Sequence, residues 1–474
     1  MRTRALVTIV LGSVLGFLLA YVFQFGWYLA LVFPSVIALL YLAIYHTQTV
    51  FISLAFFTPL SVNIEEYTDS FGLFLPTEPI LFGLMLLLLA NKIKSDGMGW
   101  IEYQHPLFLM LFLYLSWLVI SSIPSSNPLV SFKALLSKLW FLVPCLLFAH
   151  LFFTDWPAIR RFFWFFTFGM ALVVIYTIVN HAGYNFGEKE SHWVMSPFYK
   201  DHTIYGAAVA LVIPFPVMLF LSNRQSPLSS AVLLALFVII LLGLYFSYTR
   251  AAWLSVFGAA GVLALVYFRI HLRWVLLGVL FAAVVFIKFG DQIQMELARN
   301  KVEHTTESFD DRLKSATNVT TDASNLERIN RWACAIEMFK ERPVFGFGLG
   351  TYAFEYARFQ EPENLTIIST NFGDMGNAHS EYLSALSETG FLGLLLLLGF
   401  IFTGFYYLIK LIQRSRQQDR QVFVVACGIL FSLSTYFIHA FLNNFLDTDK
   451  AAIPVFTMFA LVLILQRFLL LQPK

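Results

Sequence analysis

Charge is scarce in this sequence. Of its 474 residues 13% are charged, against roughly 25% in a soluble domain, and the formal net charge is +2. So small a balance, with the basic residues scattered over short connections, excludes nucleic acid as a partner. Cysteine is scarcer still: Cys145, Cys334 and Cys427 lie far apart, and two of them fall in apolar blocks. They can build neither a disulfide framework nor a thiol metal site. His181, His192 and His202 lack the spacing of a zinc helix, so no metal is expected, and no cofactor either. The glycines of PVFGFGLGTYAF, Gly346, Gly348 and Gly350, follow no strand pattern. No Lys-Ser/Thr pair and no acidic residue at dinucleotide-binding spacing accompany them. That excludes a nucleotide cradle and leaves a tight turn against the membrane surface. No internal repeat of solenoid or inverted type is present.

What the sequence has in abundance is apolar surface. Hydrophobic residues make up 58% and aromatics 17%, gathered in blocks long enough to cross a bilayer. The fold class expected is all-α: a polytopic membrane helical bundle of about 12–14 spans with a large, partly helical extracytoplasmic loop. Spans are expected to begin near Ala5, Trp27, Thr47, Glu78, Pro106, Leu129, Phe162, Thr203, Leu228, Ala251, Arg273, Gly390, Val422 and Ala452. The basic start MRTRALVTIV reads as a retained first span rather than a cleaved signal. Arg2, Arg4, Lys92, Lys94, Arg160, Arg161, Arg224, Arg269, Arg273 and the cluster Lys410, Arg414, Arg416, Arg420 alternate with this path. By the positive-inside bias they mark the cytoplasmic face, which also holds both termini. Three regions follow: spans 1–11 over residues 1–290, an extracytoplasmic loop carrying the catalytic region over 291–389, and the last spans over 390–474.

The long loop has structure of its own. Ser324-x-x-Glu327 reads as a capping box opening a helix through Lys340 that Pro343 ends. On it Arg328, Trp332 and Ile336 share one face, with Arg331 one step round. The loop closes on His379 and Ser380, at the water edge of the apolar run from Leu394, with Asn377 the expected N-cap. Arg250, in YFSYTRAAW, stands where one span ends and the next begins, on the face where the bias disfavours arginine. Such a charge needs a partner: lipid head groups reached by snorkelling, or a bound anion. Two guanidiniums and an imidazole suit bidentate phosphate contacts and a proton acceptor near neutral pH. Lys133 and Lys138, in SFKALLSKLW, read as interfacial anchors or as extra phosphate contacts. Tyr199, Asp201 and His202 are candidates to line the same groove.

The string His379-Ser380, nine residues, Gly390-x-x-Gly393, preceded by Arg328-x-x-x-Trp332 and the Pro343-x-x-Gly346-x-Gly348 turn, resembles the O-antigen ligase and polymerase superfamily of bacterial envelope glycan enzymes. TRAAW, Thr249 to Trp253, is similar to that family's Ser/Thr-Arg motif between spans. The likeness covers about Thr203 to Leu411. It implies a metal-independent glycosyltransferase in the bacterial inner membrane, its active site facing the periplasm. The donor implied is a glycan on undecaprenyl diphosphate, and the acceptor is a lipid A core or a second glycan among membrane lipids. It implies His379 as catalytic residue and Arg250 and Arg328 as the diphosphate-binding arginines. Arg331, Ser380, His202, Lys133 and Lys138, read from their positions, are secondary candidates. Members commonly carry Asn after the histidine, where Ser380 stands here.

Ligation of the glycan to the core and polymerisation of lipid-linked units both fit these motifs. Three rival classes have other signatures. A metal-dependent transferase would use Glu65, Glu66 and Asp69 in the first acidic loop. A transporter would hold charge at mid-membrane, whereas the unusual polar residues here cluster at one face. A flippase for the lipid-linked glycan has no use for a base at the outer surface.

Overall fold

The computed structural model describes residues 37–38, 40–67, 72–94, 104–222, 226–270, 273, 323–362, 365 and 376–471. The spans expected from Ala5, Trp27 and Arg273 lie outside the described residues, as does the polar front of the long loop. Among the described residues the chain is all-helical apart from one two-residue hairpin, Val62–Asn63 paired with Phe74–Leu75. Eight helices are long and apolar enough to cross a membrane, and Thr47–Leu60, Thr77–Asn91 and Pro106–Ser122 are shorter apolar helices. The remaining expected spans all fall on these helices, and the all-α polytopic membrane bundle expected from the sequence is the fold observed.

The helices are α1 (Thr47–Leu60), α2 (Thr77–Lys94), α3 (Pro106–Ser122), α4 (Pro128–Leu142), α5 (Trp156–Ala182), α6 (His202–Val212), α7 (Pro214–Ser222), α8 (Pro227–Phe246), α9 (Arg250–Tyr267), α10 (Ala323–Glu341), α11 (Glu381–Gln418), α12 (Arg420–His439) and α13 (Asp449–Leu471). Their starts are written locally. His105, Asn127, Asp155 and Ser226 each accept a backbone N–H as N-cap with a proline in the first turn. The cap satisfies an orphan donor, and proline costs nothing where its N–H would have no partner. Burial then sorts the bundle: 83% of the span through α6 and α7 and 72% of α12 is buried inside the protein, against 17% of α9. Helices α6, α7 and α12 are therefore central, and α9 offers Leu254 and Phe257 to lipid.

Arg416 Nη1 donates to the Tyr267 carbonyl at 2.8 Å, joining the C-terminal ends of α9 and α11 at the basic end of the bundle. The opposite end gathers the starts of α6, α9 and α11 and the close of α12. There Lys450 Nζ donates to the carbonyls of Thr58, Pro59 and Ser61 at 2.8, 3.1 and 2.7 Å, satisfying the orphaned end of α1. Asp449 accepts from Ser61 and Thr77 hydroxyls, both at 2.5 Å, and so ties α1, α2 and α13 together.

The glycine run is a turn, and its job is close approach. Phe347 N donates to Ser387 O at 3.0 Å, Gly348 N to Glu388 O at 2.8 Å and Ser126 N to Phe347 O at 2.8 Å, so the turn bridges α11 and the α3–α4 connection. A Cβ on Gly348, at φ +110°, would stand 2.0 Å from Ser125 Oγ. Facing it, Gly390 at φ 72° breaks α11 into 381–389 and a longer membrane part. A Cβ there would meet Val344 O at 2.0 Å.

Two local expectations are corrected. Helix α10 begins at Ala323, so Ser324 lies within it instead of capping it. Glu327 spends its carboxylate on Arg331 at 2.6 Å, an i,i+4 pair on the same helix. The N-cap of α11 is Ser380, whose side chain accepts from Leu383 N, whereas Asn377 Oδ1 accepts from His379 N at 3.0 Å.

Candidate active site

His379 sits between the loop and the membrane helix in a conformation that L-residues avoid. Its φ is 47°, a left-handed position that costs on the order of 1–3 kcal/mol for a non-glycine residue. Three contacts hold it there. Asn377 accepts its N–H, Trp332 Nε1 on α10 donates to its carbonyl at 3.3 Å, and Asn443, beyond the end of α12, hydrogen-bonds its ring. The residue is thereby tied to α10 through its carbonyl and to the α12–α13 loop through its ring.

Around it the charges are mostly positive. Arg328 and Arg331 both act electrostatically on His379. Arg328 and Arg250 act on His202, and Arg328 acts on His439. Arg328, one turn before Trp332 on α10, is thus the common neighbour of three histidines carried by α6, α12 and the loop before α11. Burial first, and then the two arginines, lower the proton affinity of His379 to about 4. The ring is neutral at physiological pH.

Arg250 reaches this place because Thr249 and Arg250 open α9 beside the start of α6. Thr249 Oγ1 donates to the His202 carbonyl at 2.7 Å, and a Cβ on Gly206 would touch Thr249 at 2.7 Å, so the two helix starts are in contact. Asp201 caps α6 through Thr203 N at 2.7 Å. An arginine in the first turn of a helix stands against the positive end of its dipole. His192 stacks on His202 with ring centroids 4.1 Å apart. His202 Nδ1 is buried without a hydrogen-bond partner among the described residues.

The structure brings together His379, Arg328, Arg250 and His202, far apart in sequence. Arg331 is adjacent but committed: it is buried, paired with Glu327 and stacked 4.0 Å over the Tyr356 ring. Ser380 serves as the cap of α11. Lys133 is exposed on α4, and Lys138 is bound to Asp447 at 2.5 Å, away from the arginines and among carboxyl groups. Tyr199 is buried in the core beneath Lys450, 4.7 Å over its ring, and does not line the groove. Glu65 accepts from Asn63 at 3.1 Å within its own loop, and Asp69 lies outside the described residues. His439, Asn443 and His192 were not singled out from the sequence as members of this cluster. Each sits in or beside an apolar or irregular stretch with no motif, and only tertiary contact assigns them. All three cysteines are free thiols.

Fold and site define a multi-pass α-helical membrane protein with a cationic, histidine-bearing site at one end of its bundle. Residues 235–398 match the family model described as O-Antigen ligase. Arg250, Arg328 and His379 all lie within the match. No curated protein matches the chain.

Proposed function

We propose that the protein transfers a glycan from a lipid diphosphate to an acceptor hydroxyl at the extracytoplasmic end of the bundle, with His379 as general base and Arg250 and Arg328 holding the departing diphosphate. What supports this reading is that Arg328 acts on the neutral, strained imidazole of His379 and, together with Arg250, on His202, at the end of the bundle opposite the basic one. The positive-inside bias favours a cytoplasmic basic end, which supports a site facing the periplasm. No nucleotide sugar is available there, so the donor must bring its own leaving group, and undecaprenyl diphosphate is such a carrier.

The chemistry follows from the placement. The acceptor oxygen attacks the anomeric carbon as the bond to the diphosphate oxygen breaks, inverting the centre. The electron pair leaves with the diphosphate, whose growing charge meets preorganised guanidiniums in a poorly hydrated groove. The acceptor proton passes to the His379 ring. A base of pKa about 4 is weak for this task; burial is the largest cause and Arg328 the next. A diphosphate bound beside Arg328 adds negative charge near the ring and raises its proton affinity above the free-protein value. Donor binding thereby prepares the base.

Ligation to a lipid A core is the reading preferred, with polymerisation of lipid-linked units using the same clamp and base. Incubating the purified protein with a lipid-linked glycan and either rough lipopolysaccharide or a second lipid-linked unit, in chelator, distinguishes them by which acceptor is extended. Extension of neither acceptor, or turnover that needs added metal, removes the proposal.

A further inference from the structure

A second polar place borders the first. A cavity opens beside the initial turns of α11, lined by Lys138, Asp447, Glu381, Glu388, Ser384 and Tyr114 over a floor of Leu, Ile and Phe side chains. Its carboxyl groups are built in. Glu381 accepts from Tyr436 Oη at 2.7 Å and from Phe445 N and Leu446 N at 2.8 Å. Glu388 accepts from Tyr352 N at 3.2 Å, and Asp447 holds Lys138. Ser384 Oγ is enclosed without a hydrogen-bond partner among the described residues. Charged groups this far inside a membrane bundle are expensive, and their retention marks a functional place more often than not. A mostly apolar volume with a few fixed polar groups is also the form of a small-molecule site.

We propose that this cavity binds an uncharged, hydroxyl-rich saccharide unit of the acceptor; the inference rests on glycosyl transfer at His379. Position is the first argument. Glu381 lies two residues from His379, and the loop between α12 and α13 brings Asn443 to the imidazole and Asp447 to the cavity, so an acceptor seated here has a hydroxyl within reach of the base. Charge is the second. Lys138 is already paired with Asp447 and the other titratable groups lining the cavity are carboxyls and a phenol, so among the described residues no free cation is offered to the donor diphosphate there. The same groups accept hydrogen bonds from sugar hydroxyls, and Ser384 adds a group that can donate or accept. The apolar floor suits the C–H face of a sugar ring.

Two variants test it, Ser384→Trp to fill the volume and Glu388→Gln to remove one charged acceptor while keeping its shape. Steady-state rates are measured with undecaprenyl-diphosphate-linked glycan and whichever acceptor, rough lipopolysaccharide or a second lipid-linked unit, the unmodified protein extends. The acceptor KM rises about tenfold or more in Ser384→Trp and roughly three- to tenfold in Glu388→Gln, with the donor KM unchanged in both. If Ser384→Trp fails to fold, Glu388→Gln decides. An unchanged acceptor KM beside a dead His379→Ala control overturns this inference and leaves the proposed chemistry standing. Failure of the unmodified protein to extend either acceptor removes both together.

Discussion

Two polar regions share the first turns of α11, and they differ in sign. One gathers Arg250, Arg328 and Arg331 with four histidines, and within it Glu327 is already taken by Arg331. The other gathers Glu381, Glu388 and Asp447 around a single lysine. A protein that had only to pack helices would gain nothing by sorting charge in this way, because each like-signed cluster repels itself in a low dielectric. Sorting becomes useful when two ligands of unlike charge must lie side by side. A leaving diphosphate needs fixed cations, whereas a sugar hydroxyl needs acceptors. His379 stands at the boundary, its backbone on the side of α11 and its ring held by Asn443 from the loop that also carries Asp447.

The comparison is broken most severely by removing the boundary residue. His379→Ala should lower turnover by roughly 10²–10⁴-fold while a fluorescent undecaprenyl-diphosphate analogue still binds, since the arginines remain. Retention of full turnover would assign proton transfer elsewhere. Weakening the cationic side comes next. Arg250→Lys keeps the charge and loses the forked geometry, and a fall of about ten- to a hundredfold in kcat/KM for the donor is expected. Equal kcat/KM in the two proteins would make Arg250 a lipid-facing anchor.

How much of this could be read from the chain depends on whether the signal is local. The spans were legible because a bilayer demands a run of apolar residues and the caps are short-range: Asn127-Pro128 and Ser226-Pro227 state a helix start in two letters. Arg250, Arg328 and His379 were legible because each breaks a local rule or matches a resemblance. The remainder depends on tertiary contact. Asn377 looked like a better cap than Ser380, yet the left-handed turn at His379 redirects it to the backbone N–H two residues on. Lys138 reads from the sequence as an interfacial anchor or an extra phosphate contact, and only the arrival of Asp447, 309 residues further along, shows that it belongs to the acid side. His439 gives no signal in the sequence because it ends an otherwise apolar span.

Asn443 sharpens the boundary between the two regions. It is buried, bonds the ring of His379 and lies 3.0 Å from His439 Nε2, so it orients the imidazole without contributing charge. Asn443→Ala should reduce kcat about tenfold with little change in either KM, because substrate binding does not pass through it. Asn443→Asp adds a carboxylate next to the ring and should raise the proton affinity of His379, which moves the acid limb of the rate profile to higher pH. A lowered KM-independent rate with an unmoved limb in Asn443→Asp would show packing instead of orientation.

The smallest effect is the most diagnostic of how the cationic side works. In the free protein the imidazole of His379 is held at about 4, and the working form of a base is the neutral one. Activity therefore persists as pH falls through 6 and is lost only as protonation sets in near 4, so kcat/KM for the donor should show its acid limb there. The profile of kcat reports the donor-bound protein, in which a diphosphate beside Arg328 offsets part of the positive field on the ring. Its acid limb should lie higher, between about 4 and the ordinary histidine value of about 6.5. Replacing Arg328 by Gln removes one source of the depression and should draw the two limbs together, the free-protein limb moving upward. If both limbs stay near 6.5 in the unmodified protein, the arginines do not face the imidazole, and the segregation of charge around α11 has no part in tuning it.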